Sequence, residues 1–229
     1  MRVLGVDTAT RQASVGLARD AEVIAERTLA VEESHAVSLL PLIEEVLQAA
    51  GCSVQTVDAI AVSCGPGSFT GLRIGLSIAK GLAYATGARL LAVPTLEALA
   101  RTVAERQGII CPVLDARKGE LYAARFESRP GVWKRLAPDS LVTPESLLEM
   151  LPTPSVVLGD AVLAYGAFLR ERLGSGVTLL PFGQYGPRGG VVALMGHERL
   201  ETGDGDDLSR LEPAYIRPSE AERKLNVSV

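Results

Sequence analysis

The first thirty residues show apolar and polar positions in a pattern that predicts three short strands. Segments 2–7, 13–18 and 22–27 are rich in aliphatic residues, and only brief polar turns separate them. Strands with such short links favour an antiparallel meander. Residues 35–50 then carry apolar side chains at helical spacing, and Ser34 stands where a helix N-cap is expected. The chain therefore opens with a small sheet and a helix that can cover it.

A glycine-rich turn between a buried strand and a long helix is the most distinctive stretch of the chain. The apolar run 59–64 predicts the strand, 72–84 predicts the helix, and the sequence GPGSFTG joins them at 65–71. Glycine permits a close approach of the backbone to a neighbour, and free amides at a helix start favour an anion. The turn lacks the lysine of a P-loop and the acidic residue of the dinucleotide fingerprint, so a conventional nucleotide site is not predicted.

Two interpretations of this turn stay open. It is either a tight turn that packs strand against helix or a loop that contacts a nucleotide. The possible nucleotide-loop residues are Asp7, Gly65, Gly67, Ser68 and Thr70. In the helix that follows, small residues recur at every fourth position, namely Gly71, Gly75, Ala79 and Ala83. Such a stripe admits another backbone at close range, either from the chain's own sheet or from a second subunit.

The pattern of the first half recurs from residue 109 onward. A strand at 109–115 ends in Asp115, as the first strand ends in Asp7. A strand at 89–93 and a helix at 94–106 are predicted before it, and strands at 120–126, 131–136, 156–159 and 177–180 and helices at 144–151, 161–173 and 191–200 after it. The repeated order predicts an internal duplication, with an N-terminal lobe at 1–107 and a degenerate C-terminal lobe at 108–229.

Composition limits the function classes. With 229 residues, 47% apolar and 22% charged, the chain has the makeup of an ordinary globular protein with room for two cores. A net charge of -4 and an aromatic content of 4% argue against a cationic, base-stacking nucleic-acid binder. Three cysteines without metal-like spacing fit a reducing cytoplasm. No apolar run reaches the ~20 residues that a membrane span requires.

Four motifs carry a resemblance to a known family. They are VLGVDTAT at 3–10, SHAVSLLPLI at 34–43, GPGSFTGLRIG at 65–75 and LEPAYIR at 211–217. In these motifs and in its order of elements, the chain resembles the actin-like ATPase superfamily and, within it, the TsaB family. The resemblance implies an α/β protein with a duplicated actin-like ATPase (ribonuclease-H-like) fold, in which each of two lobes has a mixed sheet flanked by helices.

The resemblance also implies a function and partners. TsaB-like proteins are cytoplasmic subunits of the machinery that places threonylcarbamoyl on an adenosine next to the tRNA anticodon. The implied partners are a TsaD-like catalytic paralogue, a TsaE-like ATPase in the same complex and, for the protein alone, a second copy in a homodimer. The subunit would reach tRNA through the complex, and no membrane is involved. The lobe at 1–107 is the expected dimerisation lobe.

By the same resemblance, this subunit lacks the metal site of its paralogue. TsaD carries a His-x-x-x-His motif shortly after its glycine-rich loop, and Thr95 and Leu99 stand at the matching positions here. Neither side chain can replace an imidazole ligand, and the two histidines, His35 and His197, are far apart in sequence. We therefore expect a non-catalytic subunit without a cofactor or metal of its own, and we expect ATP and metal in the partner.

An excess of apolar residues in the segment 35–50 predicts a partner-binding surface. These residues spread over more than one stripe of the helix, so one side can cover the sheet while another faces a partner. Together with the small-residue helix, this surface can form a four-helix contact, which is the pairing that the resemblance implies. The predicted contact residues are His35, Leu39, Leu42, Ile43, Val46, Arg73, Ser77, Lys80 and Tyr84. The alternative is that both helices are buried within one lobe.

Three other functions stay open. The chain can be an actin-like-fold ATPase or small-molecule kinase acting on its own, with Asp7 and Asp115 holding magnesium across a cleft. The simpler interpretation, which the degenerate second half favours, is that both aspartates cap strand ends and form turns. A peptidase is a second possibility, although the sequence has no His-Glu-x-x-His motif. A third is a stand-alone structural dimer without a role in tRNA modification.

Overall fold

Two five-stranded mixed sheets form the centres of two lobes. The computed structural model describes residues 1–31, 34–203 and 205–217. The first sheet contains β1 (Arg2–Asp7), β2 (Gln12–Arg19), β3 (Glu22–Ala30), β4 (Ala59–Gly65) and β5 (Arg89–Pro94), in the order β3-β2-β1-β4-β5. The helices of this half are α1 (His35–Ala49), α2 (Phe69–Thr86) and α3 (Thr95–Arg101).

The second sheet is built from the second half of the chain. Its strands are β6 (Gly108–Arg117), β7 (Glu120–Arg129), β8 (Val132–Val142), β9 (Ser155–Leu158) and β10 (Val177–Leu179), in the order β10-β9-β6-β7-β8. The helices are α4 (Pro144–Met150), α5 (Ala161–Leu173) and α6 (Gly189–Glu201). Among the helices of the described residues, none has the length and hydropathy needed to span a bilayer.

The two sheets share one topology, which confirms the predicted duplicated α/β fold. Strand β1 pairs antiparallel with β2 and parallel with β4. Strand β6 pairs antiparallel with β7 and parallel with β9 in the same way. Asp7 ends β1, and Asp115 lies near the end of β6. The two aspartates therefore occupy matching places, as the repeated sequence pattern predicted.

Helix α6 belongs to the first lobe in space, although it follows the second sheet in the chain. It packs on the face of the first sheet opposite α1 and α2, where Val192, Ala193 and Met195 join the core with Val3 and Leu91. Helix α6 lies very close to the sheet because glycines at the start of the helix face glycines of β1 and β2. The predicted boundary at residues 107 and 108 lies between the strands of the two sheets, and α6, which follows that boundary in the chain, packs on the first sheet.

The backbone contact between α6 and β2 leaves no room for side chains. A Cβ atom added at Gly16 would lie 2.5 Å from the Cα atom of Gly190. The start of the helix is fixed there by two further hydrogen bonds, from Gly189 N to Ser14 Oγ at 2.8 Å and from Gly190 N to Glu26 Oε1 at 2.7 Å. On the helix side, a Cβ atom added at Gly189 would lie 2.4 Å from Gly16 N, so the contact depends on glycine at positions 16 and 189.

The small-residue stripe of α2 faces the chain's own β1–β2 turn. Thr8 Oγ1 donates a hydrogen bond to the carbonyl of Gly71 at 2.8 Å, and a Cβ atom at Gly71 or Gly75 would overlap Thr8. Of the two neighbours considered for this stripe, the sheet of the same lobe is the one observed. Gly71 and Gly75 are buried there and unavailable to a partner.

Several predicted elements have different lengths in the structure, and α3 and β8 differ most. Helix α3 ends at Arg101 rather than near residue 106, since the following residues form turns with hydrogen bonds such as Arg106 N to Val103 O at 2.9 Å. Strand β8 extends to Val142, well beyond the predicted 131–136, and includes Pro138. Proline is tolerated there because β8 is the edge strand of its sheet.

Residues 205–217 form a strap along the first sheet and across to the second. Asp206 N donates to Leu90 O at 3.0 Å, and Asp206 Oδ2 accepts from Ala92 N at 2.6 Å, so the strap closes the edge of β5. Farther on, Ala214 N donates to Cys64 O at 2.7 Å, and Arg217 donates to Ala116 O. The sequence GDGDD at 203–207 predicts a flexible acidic loop. Asp204 lies outside the described residues, but Asp206 is anchored by these hydrogen bonds.

Replacing Gly16 with alanine should lower the free energy of unfolding by about 1–3 kcal/mol, because overpacking against a backbone costs that much. Urea denaturation followed by circular dichroism measures the change. Gly81→Ala is the matched control: a Cβ atom at Gly81 meets nothing within 4 Å, so alanine should add roughly 0.5–1 kcal/mol through helix propensity. Equal stability of Gly16→Ala and the wild type would contradict the packing of α6 on β2.

Candidate functional site

The glycine-rich turn is held between the β1–β2 turn and the strap. Ser68 caps α2, with its Oγ atom accepting a hydrogen bond from Gly71 N at 3.2 Å, and Ser68 N donates to Ala9 O at 2.7 Å. Gly65 has a φ of +125°, and a Cβ atom there would lie 2.5 Å from Ala214 O. The glycine at 65 is thus required by packing against the strap, and it does not face a ligand space.

A cavity of about 770 Å³ lies between the lobes, beside the start of α2. Gly67, Ser68 and Thr70 line it, so three of the five possible nucleotide-loop residues border open space. Its other charged or aromatic lining residues are Arg11, Phe69, Arg73, Asp115, Arg117, Lys118, Tyr122, Asp160, Tyr215 and Arg217. Basic side chains outnumber carboxylates around this space, so its lining favours an anion.

Asp7 does not take part in this cavity. Its side chain is 2% exposed, and its carboxylate accepts hydrogen bonds from Ala9 N at 2.9 Å and from Ser63 Oγ at 2.6 Å. Burial raises the pKa of this carboxyl, against the opposing effect of those two hydrogen bonds. Asp7 fixes the end of β1 and does not fit a magnesium ion shared with Asp115 across the cavity. Gly65 is likewise absent from the cavity lining.

Two carboxylates of the second lobe meet at the opposite wall of the cavity. Asp115 Oδ1 accepts from Arg117 N at 2.8 Å and Asp115 Oδ2 forms an ion pair with Arg117 Nη1 at 2.9 Å. Asp160 Oδ1 accepts from Asp115 N at 2.8 Å. Burial, with a smaller effect of the Asp115 charge, raises the pKa of Asp160 to about 6. Asp160 was missed in the sequence, although it follows a strand and a glycine just before α5.

A stack of two rings and a guanidinium forms the rim of the cavity nearest the strap. The ring centroids of Phe69 and Tyr215 are 4.9 Å apart. Arg73 lies with its guanidinium carbon 3.8 Å from the Phe69 centroid, and its Nε donates to Tyr215 Oη at 2.7 Å. The sequence predicted Arg73 as a partner contact and did not predict the two aromatic residues. Tyr215 belongs to the motif LEPAYIR, which was the one signal for it in the sequence. Its place beside the turn could not be predicted, because the two segments lie far apart in the chain.

Five predicted contact residues are buried in the first lobe, which corrects their assignment. Leu39, Leu42, Ile43 and Val46 belong to the core beneath α1. His35 is also buried, and its Nε2 lies 2.9 Å from Thr10 O. These side chains lie on the side of α1 that packs against the first sheet. In the folded chain they are therefore covered by its own core rather than presented on the surface.

The exposed side of α1 and α2 carries other apolar residues. Val37 is 64% exposed and Leu40 is 50% exposed on α1, while Tyr84 is 84% exposed on α2. Arg73 and Ser77 are also exposed, and Lys80 is half-buried. We call the surface formed by Val37, Leu40, Ser77 and Tyr84 the outer face. It retains two of the nine predicted contact residues and adds two that the sequence did not predict.

Comparison with known proteins identifies the family. The family model described as TsaD, tRNA N6-adenosine threonylcarbamoyltransferase, matches residues 22–168. A Bacillus subtilis (strain 168) protein named tRNA threonylcarbamoyladenosine biosynthesis protein TsaB is 32% identical, over 98% of this chain and 97% of its own length. The chain belongs to the TsaB family. A member from Escherichia coli (strain K12) is 31% identical, over 98% of both chains.

Solved structures agree with family membership. The solved structure of YeaZ from Pseudomonas aeruginosa superimposes with a TM-score of 0.78 at 25% identity, covering 93% of this chain and 100% of that one. The activator of the 2-hydroxyisocaproyl-CoA dehydratase from Clostridium difficile, with a TM-score of 0.56 at 10% identity, covers 90% of this chain and 99% of that one. The latter likeness shows the shared actin-like ATPase fold alone.

Thr95 and Leu99, the positions that the resemblance matches to two expected histidines of the paralogue, are part of the core. Thr95 is buried and accepts a hydrogen bond from Gly65 N at 2.9 Å through its Oγ1 atom. Leu99 is buried in the core of the second lobe. Within residues 1–31, 34–203 and 205–217, no three His, Cys, Asp or Glu side chains are grouped to hold a metal ion. Thr95 instead supports the backbone of the glycine-rich turn.

Asp160→Asn should make the protein more stable above pH 6 and less sensitive to pH. Because folding raises the Asp160 pKa from 3.8 to about 6, the folded state binds the extra proton, and the free energy of unfolding falls as pH rises through this window. The lost stability is on the order of 2–3 kcal/mol. Asparagine keeps the acceptor for Asp115 N and cannot ionise. Denaturation at pH 4.5 and 7.5 measures the difference; parallel pH profiles of variant and wild type would contradict it.

Proposed function

We propose that this protein is a non-catalytic subunit that binds and activates a TsaD-like transferase in the threonylcarbamoyl modification of adenosine next to the tRNA anticodon. The observation that carries this proposal is the outer face of α1 and α2, in a chain that resembles TsaB proteins over almost its whole length. These proteins carry the name of that pathway. A partner surface explains why large apolar side chains remain exposed on this face.

The outer face has the properties of a contact surface. Val37 and Leu40 are three residues apart and lie side by side on α1. Their neighbours toward the C-terminus of α1 are charged, since Glu44 and Glu45 are exposed. Exposed apolar area flanked by charge is typical of protein–protein contacts, and each Å² of apolar surface removed from water contributes roughly 25 cal/mol. Two helices from each partner can bury this face in a four-helix contact.

The absence of catalytic activity is supported by the placement of Thr95, Leu99 and Asp7. Thr95 and Leu99 are committed to the core where the paralogue is expected to hold its metal. Asp7 is enclosed by Ser63 and Ala9, so the alternative of an independent ATPase or kinase with magnesium between Asp7 and Asp115 finds no support in the geometry. The same protein is then best understood as a helper whose contribution is binding.

The remaining partners follow from this role and are proposed with it. ATP and metal would be held by the TsaD-like subunit, with a TsaE-like ATPase in the same complex. tRNA would be reached through the complex in the cytoplasm. When the transferase is absent, the outer face would be covered by a second copy in a homodimer. Covering this face in either way removes Leu40 and Tyr84 from water.

Cells depleted of this protein should lose threonylcarbamoyladenosine from their tRNA, because the transferase would lack its activator. Nucleoside mass spectrometry of bulk tRNA measures the loss, and expression of the wild-type chain should restore the modification. An unchanged level in depleted cells would contradict the proposed pathway.

Leu40→Asp should abolish the complex with the TsaD-like transferase, because it places a charge in the apolar contact. Light scattering after size-exclusion chromatography measures the mass of the complex. Leu163→Asp is the matched control, since Leu163 is 74% exposed on α5 of the other lobe. Both variants should unfold at the wild-type denaturant concentration. A complex of full mass with Leu40→Asp would show that the outer face is not the contact.

A further inference from the structure

A groove of about 280 Å³ runs between α2 and the strap, next to the outer face. From α2 it is lined by Arg73, Leu76, Ser77 and Lys80, and from the strap by Leu211, Glu212, Pro213 and Tyr215. The four helix residues share one side of α2, as their spacing of three and four requires. Leu76, Leu211 and Pro213 supply an apolar floor. Arg73 and Lys80 place a cation at either end of the helical wall.

The two cations are available to a ligand. Arg73 uses Nε to bind Tyr215 and rests on the Phe69 ring, which fixes the direction of its guanidinium. Within the described part of the chain, its Nη atoms and the Lys80 ammonium make no hydrogen bond or ion pair. A guanidinium held in this way has already lost much of its rotamer freedom, so binding an anion costs it less entropy.

The carboxylates near the groove leave it with an excess of positive charge. Glu212 lines the groove and is exposed. Asp207 lies within electrostatic reach of Lys80, but its carboxylate accepts from Ser209 N at 2.8 Å and forms an ion pair with Arg210 at 3.6 Å. Two cations therefore face one uncommitted carboxylate. The groove is complementary to a single negative charge on a short aliphatic stem.

We propose that this groove receives an acidic side chain, glutamate or aspartate, of the partner subunit. The proposal rests on the function proposed above, because the groove continues the outer face along α2 through Ser77. Its apolar floor matches the methylene stem of such a side chain, and Arg73 and Lys80 match the carboxylate. The strap thereby becomes part of the docking surface, which would consist of α1, α2 and residues 211–215. Glu212 makes the groove selective for a ligand with one negative charge, because it repels a second one.

The test is the affinity of charge variants for the TsaD-like transferase from the same cells, measured by calorimetry at about 50 mM and about 500 mM salt. Lys80→Glu should weaken binding about 10-fold or more at low salt, and the loss should shrink at high salt. Glu212→Gln should tighten binding several-fold, since it removes the repelling charge. Lys134→Glu is the matched control, a charge reversal of an exposed lysine on β8 of the other lobe.

The outcomes separate the groove proposal from the proposed function. Equal affinities for Lys80→Glu and Lys134→Glu, with a wild-type complex that forms normally, would overturn the groove proposal and leave the proposed function intact. No binding of the wild-type chain would overturn both. If Lys80→Glu and Glu212→Gln change self-association in sedimentation but leave transferase binding unchanged, the groove holds an acidic residue of a second copy, and the proposed occupant is wrong. Circular dichroism of each variant verifies folding.

Discussion

Close backbone packing against both faces of the first sheet is the constraint on which the rest of the structure depends. On one face, Gly16 meets Gly190 at the start of α6, and on the other, Thr8 fits against Gly71 and Gly75 of α2. Neither contact has room for a methyl group. Because α2 is fixed so closely by its small residues, its opposite side is presented at a defined position. The cavity, the ring stack and the outer face all take their geometry from this placement of α2.

Much of the fold could be predicted from the sequence, because most strands and helices carry their own local signal. The turn residues and apolar patterns predicted all five strands of the first sheet, although β3 extends to Ala30, three residues beyond its predicted end. The predicted partner-contact residues show what local patterns cannot predict. Helical spacing reveals that α1 has more than one apolar stripe, but it cannot tell which stripe faces the sheet. Leu39 and Leu40 are adjacent and chemically identical, yet one is in the core and the other is half exposed.

The two duplicated aspartates show a second limit of prediction. Asp7 and Asp115 occupy matching places in the two sheets, so the repeated pattern assigns them one shared role. Their surroundings differ: Asp7 is closed off by Ser63 from the adjacent strand, whereas Asp115 faces the cavity beside Asp160. Contacts of this kind join residues far apart in the chain. The ring stack of Phe69 with Tyr215 is similar, because only the folded strap brings position 215 to the glycine-rich turn.

The return of α6 to the first sheet has a consequence for how the protein is made. During synthesis, residues 1–107 leave the ribosome first, but one face of their sheet stays uncovered until residues 189–201 have followed. The complete second lobe is synthesised in between. Folding of the first lobe therefore requires contacts across most of the chain, which slows folding and prolongs exposure of apolar surface. The two sheets are separate in space, but the chain cannot be cut between them into two self-sufficient halves.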